Sequence, residues 1–359
     1  MVTGRFDLHA LRRDYGDVRA EALSCRSAAA LFDFSFMSRI RIEGPSAAAL
    51  IGTLTPRRID DLPPGRIRYA LRVAVDGRVL GDLTIWRLDA ETFEVFDGTG
   101  HALAHLRSAV GAAASVRDLS QETAILAVQG PESLRTLSAV MPTDELRGLA
   151  YFAHVPTAIA GTSCRIGRLG YTGERGFEIV LPRTAGEEIW KILAAHARPA
   201  GFAAADILRI EAGFVLFANE LSVLVTAAEL GLTRFAEGAR ASGACKPCGG
   251  AAEEGTRRVR LLCFEATCDS EPVLWQQEAG ASFPPAPGCF FATSACRSVV
   301  TNAVLGLGYA AAGPRSEQLV DPTGRFRDIR EVPLPCHDPG KRRPRGGWRD
   351  DLLPNNRNT

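Results

Sequence analysis

The chain has 359 residues, with 42 Lys and Arg against 41 Asp and Glu, a formal net charge of +1, 46% hydrophobic and 23% charged residues. That profile excludes disordered and fibrous classes, and the balanced charge argues against nucleic acid, whose phosphates demand a basic excess. At roughly 150 residues per domain, the length predicts two or three domains.

Leu11 to Leu31 reads as mostly helix and Phe32 to Glu43 as a strand, after which Gly44-Pro45-Ser46 opens a short apolar helix, Ala47 to Leu54. The clearest β signal follows. Arg66 to Val75 alternates, Asp76-Gly77 fits a two-residue type I′ turn, Arg78 to Leu88 alternates again, and Thr92 to Phe96 completes a predicted antiparallel meander. His101 to Val110 is the helix expected to cover it. Ala124 to Val128 (AILAV) reads as a buried strand running through Gln129-Gly130-Pro131 into a helix, Glu132 to Val140. From Ser163 a strand leads through YTGERG (Tyr171 to Gly176) into Phe177 to Leu181, a hairpin whose two glycines suit tight turns. Thr184 and Glu187 have the spacing of a capping box for a helix to about His196, and Asp206 to Gly213 reads as a further helix.

Between Ala236 and Gly255 the composition shifts to Ala, Gly, Cys and Glu without periodicity, which marks a linker. The short apolar runs beyond it predict a small β-barrel or sandwich. The tail from Cys336, with its basic run Lys341 to Arg345, reads as a solvated extension.

No stretch approaches the roughly 18 apolar residues that span a bilayer, and no apolar leader follows Met1, so a cytoplasmic protein without a membrane partner is expected. The nine cysteines are an odd, scattered set, best read as free thiols. Cys245 and Cys248 form a C-x-x-C pair, but zinc needs a second pair at suitable spacing and none exists, so no metal site is expected.

Tyr171 to Ile179, YTGERGFEI, resembles the signature of the glycine cleavage T-protein (aminomethyltransferase, GcvT-like) superfamily. Asp33 to Met37, Tyr69, Gly81 to Thr84, Ala127 to Pro131 and Leu208 to Gly213 match further motifs of that family in the same order. The resemblance covers about residues 10 to 236. It implies an α+β multidomain folate-binding fold: two interlocked N-terminal α/β modules and a C-terminal β-barrel around a central cavity. The expected partition is a folate-binding domain at 1–236 with an inserted module at 66–118, a linker at 237–255, a C-terminal β-barrel at 256–335 and a polar tail at 336–359. Tetrahydrofolate is the cofactor implied. The implied activity is transfer of a one-carbon unit to it from a small or lipoyl-bound donor. If the donor is the lipoyl-bound aminomethyl group, the implied partner is the glycine cleavage H-protein.

Asp82 falls mid-strand, on the face of Leu80, Thr84 and Trp86, with Val79, Leu83 and Ile85 opposite. A partly desolvated carboxylate there can take a proton from an amine or stabilise the cation formed as a C–N bond breaks. The resemblance makes Asp82 the catalytic residue, beside the folate N5/N10 region. Glu178 lies between Phe177 and Ile179 and projects opposite to them, where a carboxylate can accept the two parallel N–H bonds of a pterin edge. The resemblance gives it that role, and gives Tyr171 and Tyr69 contact with the ring or its benzoyl arm. Arg209 and Glu211 read as a structural Arg–carboxylate pair, and Gln129-Gly130-Pro131 as a turn.

Three positions depart from the T-protein pattern: Ala205 where an arginine is usual, Gly81 in place of the first of two aspartates, and Phe36 where histidine is common. Two alternatives therefore stand beside the transferase, a folate-binding protein or subunit without turnover and a tetrahydrofolate-dependent O- or S-demethylase.

Overall fold

A computed structural model describes residues 7–237, 257–276, 282–313 and 318–348. In chain order its elements are α1 (Val18–Ser27), β1 (Ala30–Asp33), β2 (Ser38–Glu43), α2 (Ala47–Ile51), β3 (Ile67–Val73), β4 (Val79–Arg87), β5 (Thr92–Asp97), α3 (Ala102–Ala109), β6 (Ser115–Asp118), β7 (Thr123–Gln129), α4 (Ser133–Ser138) and α5 (Asp144–Gly148). There follow β8 (His154–Ile159), β9 (Thr162–Gly167), β10 (Gly176–Pro182), α6 (Gly186–Ala194), β11 (Arg198–Pro199), α7 (Phe202–Glu211), β12 (Val259–Thr267), β13 (Phe290–Arg297), β14 (Val304–Ala311) and β15 (Arg327–Val332). They gather into two compact units. One takes Met37–Leu119 and Arg209–Pro339; the other takes Leu8–Phe36, Ser120–Leu208 and the segment from Gly340.

The first unit holds two sheets. The antiparallel meander is realised as β3-β4-β5 and extended by β2 and β6 into a five-stranded sheet, over which Leu50, Ile51 and Leu106 from α2 and α3 close a core on Leu83, Ile85, Phe93 and Val95. β2 belongs to this sheet, and the predicted strand Phe32 to Glu43 is two strands in different units. The turn at Asp76-Gly77 is also different. Only Gly77 has positive φ (84°), and Ala74 N–H bonds Arg78 C=O while Gly77 N–H bonds Ala74 C=O, which is a three-residue turn ending in a left-handed glycine.

In place of a closed C-terminal barrel, the described residues show an antiparallel sheet in the order β13-β14-β12-β15. Arg209, at the end of α7, is wholly buried in this unit and pairs with Glu220 at 2.7 Å. Glu220 also accepts from Leu216 N–H (2.8 Å) and from Thr293 and Ser294 hydroxyls, while Glu211 accepts from Ser298 Oγ and Val299 N, each at 2.7 Å. Each carboxylate therefore meets its own set of donors.

The second unit is built on a six-stranded sheet, β11-β1-β7-β10-β9-β8, antiparallel except for β1 with β11. The apolar run of β7 explains its place near the middle: every residue of it is buried. Val128, Phe177, Ile179, Ile189 and Leu193 share one core, packing α6 on the sheet. Asp17 caps α1 by accepting from Ala20 N–H at 2.9 Å. The predicted capping box does not form. Thr184 lies in a 3-10 turn and α6 starts after Ala185 with no side-chain cap. Of the two hairpin glycines, Gly173 has φ +76°, whereas Gly176 is needed for close approach, since a Cβ there would stand 2.6 Å from Val128 C=O and from the Gln129 amide carbon.

The tail is not solvated where it is described. Residues 340–348 lie on this second unit. Trp348 stacks on Phe177 at 5.1 Å, Arg343 bonds both Glu174 oxygens (2.9 and 3.2 Å), and Arg175 donates to Gly347 C=O at 2.7 Å. Charge pattern alone missed this because the docking rests on one aromatic residue, on backbone carbonyls and on an Arg343–Glu174 pair whose members are 169 positions apart. The predicted linker beyond Glu237, with Cys245 and Cys248, lies outside the described residues, as do residues 349–359. Every described cysteine is a free thiol.

Removing one member of a buried ion pair strands the other charge. Arg209→Met is expected to lower stability by about 3–5 kcal/mol, read by urea unfolding; a loss below about 1 kcal/mol would show that Glu220 is satisfied by its hydroxyl and amide donors alone.

Candidate functional site

The structure places the four residues singled out in the sequence as two pairs, Tyr69 and Asp82 in the first unit and Tyr171 and Glu178 in the second. The first pair meets directly: Tyr69 Oη donates to Asp82 Oδ2 at 3.0 Å. The strand register explains how. Tyr69 is opposite Thr84 and Leu71 is opposite Asp82, so Tyr69 and Asp82 are diagonal neighbours on one face. The face is not composed as alternation predicts. Arg72 pairs with Gly81 but Val73 pairs with Val79, so Leu80 is an extra residue, bulged and half exposed, and Val79 turns to the Asp82 face. There Leu71 and Val79 pack with Val215, Val225 and Tyr309, while Leu83 and Ile85 face the other core as expected.

Burial pushes the Asp82 carboxyl up to about 6; the Tyr69 bond opposes the rise and the Asp97 charge adds to it. Asp97 is a residue that motif reading missed. At the end of β5 it is fully buried, accepts Thr99 N–H (2.8 Å) and Thr99 Oγ1–H (2.7 Å) on one oxygen, and accepts Ala102 N–H (2.8 Å) on the other, capping the first turn of α3. Arg72 reaches the same cluster through Thr99 Oγ1 at 3.4 Å. The signal that could have exposed it is the string Asp97-Gly98-Thr99, a strand end followed directly by a helix start.

In the second unit Glu178 stands on β10 between Ala127 of β7 and Gly167 of β9, and the row continues to Phe32 on one side and His154 on the other. The alternation predicted from Phe177 and Ile179 holds, with those two in the core and Glu178 on the opposite face. Its immediate cross-strand neighbours are a methyl and a hydrogen, which leave room over the carboxylate. Burial alone raises the Glu178 carboxyl to about 7, and among the described residues none donates a hydrogen bond or ion pair to it. Tyr151, Arg345 and Arg168 were also missed. Burial pushes the Tyr151 phenol up to about 12, Glu178 adds to that rise, and the Arg345 and Arg168 charges oppose it, which puts the four groups within electrostatic reach. Tyr171 is half-buried in the loop joining β9 to β10, which Gln129 anchors: its Nε2 donates to Leu169 C=O at 3.1 Å and its Oε1 accepts from Thr172 Oγ1 at 3.1 Å. Among the described residues no group of three or more His, Cys, Asp or Glu is arranged to hold a metal ion, and no helix is long and apolar enough to cross a membrane.

With this geometry in hand, the comparisons with known proteins are specific. The family model described as the GCVT N-terminal domain matches residues 8–239. An aminomethyltransferase of Streptomyces avermitilis is 39% identical over 229 residues, 61% of this chain and 61% of the relative. One from Chlorobium limicola is 34% identical over 225 residues, 60% of this chain and 62% of the relative. The chain thus matches about three fifths of the length of these curated relatives. Among solved structures, the crystal structure of glycine cleavage system aminomethyltransferase T from Bartonella henselae superposes with a TM-score of 0.69 at 25% identity, covering 84% of this chain and 83% of that one.

A carboxylate that titrates near 7 folded and near 4.5 unfolded costs nothing below pH 4.5, where both states hold the proton, and most above pH 7, where both have lost it. Glu178→Gln is therefore expected to stabilise the chain at pH 8, by about 1–3 kcal/mol, with the gain shrinking towards zero as pH falls to 4.5. Thermal unfolding of the two proteins across that range reads the effect; a gain independent of pH would mean that Glu178 is not buried as a charge.

Proposed function

The chain belongs to the GCVT N-terminal domain family, and on that footing we propose that it moves a one-carbon unit from an amine-type donor to tetrahydrofolate. The observation that carries the reading is Glu178, a desolvated carboxylate flanked across the strands by the small Ala127 and Gly167 and with no described donor. A pterin offers two parallel N–H groups on its pyrimidine edge, and a carboxylate accepts both in one plane. Their arrival offsets the desolvation that raises the group's pKa. Tyr171 and Tyr69 give aromatic surface to the ring or its benzoyl arm, and Tyr151 adds a third phenol beside Glu178.

Tetrahydrofolate supplies the N5 and N10 nitrogens that take up the carbon. Asp82, titrating near 6, is mostly ionised at neutral pH and can accept a proton or stabilise an amine cation as its C–N bond breaks. If the carbon is an aminomethyl group on a lipoyl arm, the partner is a glycine cleavage H-protein; an O- or S-methyl donor would use the same residues. A folate carrier without turnover is the second reading, and two observations favour it. Ala205 is wholly buried, and a Cβ on Gly81 would stand 3.0 Å from the Thr99 methyl, so neither place holds the charged group usual in the T-protein.

Titration calorimetry with tetrahydrofolate tests the common premise. Wild type is expected to bind and Glu178→Gln to bind about 10–100-fold more weakly, and no binding by wild type rejects all these readings. Asp82→Asn is expected to bind as wild type and to lose transfer by about 10²–10⁴-fold, with wild-type transfer falling as pH drops below about 6. Binding without transfer from any N-, O-, S-methyl or lipoyl donor establishes the carrier.

A further inference from the structure

The Asp82 carboxylate is met on its own sheet face from the neighbouring strand β3. On β3 the Tyr69 hydroxyl donates to Oδ2 at 3.0 Å. That phenol is itself held: its ring packs edge-on against Phe235 at 5.0 Å, and Arg57 donates to its carbonyl at 2.9 Å. On β5, Asp97 is opposite Leu83 and therefore lies on the sheet face away from Asp82, with three donors fixing both of its oxygens. The Thr99 that holds Asp97 also lies against Gly81, the residue before Asp82. The bulge at Leu80 locks this arrangement by fixing where the β4 face changes.

We propose that Tyr69 is a positioning residue for Asp82, aiming its carboxylate and holding it in the ionised form. A bond from a phenol favours the charged carboxylate. The burial-driven rise of the Asp82 carboxyl is opposed by Tyr69, in the sense the geometry requires. The other charged groups on the surrounding elements are engaged elsewhere. Arg72 is directed to Thr99, Glu220 to Arg209, Glu229 to Arg258, and Arg57 and Arg234 lie over the Phe235 ring. The single donor to Asp82 from a described side chain is therefore Tyr69.

As a statement about transfer, the proposal rests on the function proposed above, but its physical content can be read without any ligand. In the full chain carrying 13C-carboxyl aspartate, the signal lost in Asp82→Asn identifies Asp82, and its titration is followed by NMR. Tyr69→Phe keeps the ring, and with it the Phe235 contact, and is expected to raise the Asp82 midpoint by about one pH unit. A Tyr69→Phe midpoint that is unmoved or lower overturns the proposal. In transfer assays the acid limb of kcat must move with this midpoint, whereas a role in ligand contact alone would change KM at every pH equally. If tetrahydrofolate does not bind and the midpoint still shifts, the proposed function fails while the Tyr69–Asp82 device stands.

Discussion

Glu178 is ionisable, lies on a central strand of a six-stranded sheet, and has lost much of its water without gaining a described donor in return. A buried carboxylate in that condition disfavours the folded state whenever it is charged, so the rest of the unit has to hold it in place. The support comes from both sides of the sheet. Phe177 and Ile179 are committed to the core under α6, and Trp348 stacks on Phe177 as part of that commitment. The small neighbours Ala127 and Gly167 keep the other side open. Asp82 shows the milder solution, since it has a phenol to bond. One carboxylate is therefore without a described donor, and the other already has one. The fold carrying them is GcvT-like, with mixed α and β elements and several sheets.

What the amino-acid string revealed is what short-range periodicity encodes. Glu178 opposite Phe177 and Ile179, the meander β3-β4-β5 and the buried β7 are all legible, because a period of two residues acts over a handful of positions. The errors arise where a second strand decides. Leu80 breaks the alternation of β4 only because Val73 pairs with Val79, and the pairing of Arg209 with Glu220 depends on a loop that returns beside α7. Thr184 has the right spacing for a cap, but the chain spends it in a 3-10 turn.

The site divides in the same way. Asp82, Glu178, Tyr69 and Tyr171 sit in motifs and could be named from sequence. Asp97, Tyr151 and Arg345 could not, because each gains its meaning from a neighbour distant in the chain: Asp97 from Asp82, and Tyr151 and Arg345 from Glu178 and from each other. Local strings carry the groups a family shares; the groups that tune them emerge only with the sheet registers.

The docking of Trp348 also bears on how the protein is made. The chain enters the second unit at residue 8, leaves it at 36, returns at 120, leaves again at 208 and comes back at 340. The ring that covers Phe177 is thus among the last described residues to be synthesised, about 170 positions after its partner. On the ribosome, the sheet bearing Glu178 must wait, with one side of its core unfinished, while the whole second sheet of the other unit is translated. Closing so long a loop slows folding and prolongs exposure of apolar surface. A chain cut short before Trp348 would hold nearly every residue of the candidate site yet leave the sheet beneath it incompletely covered.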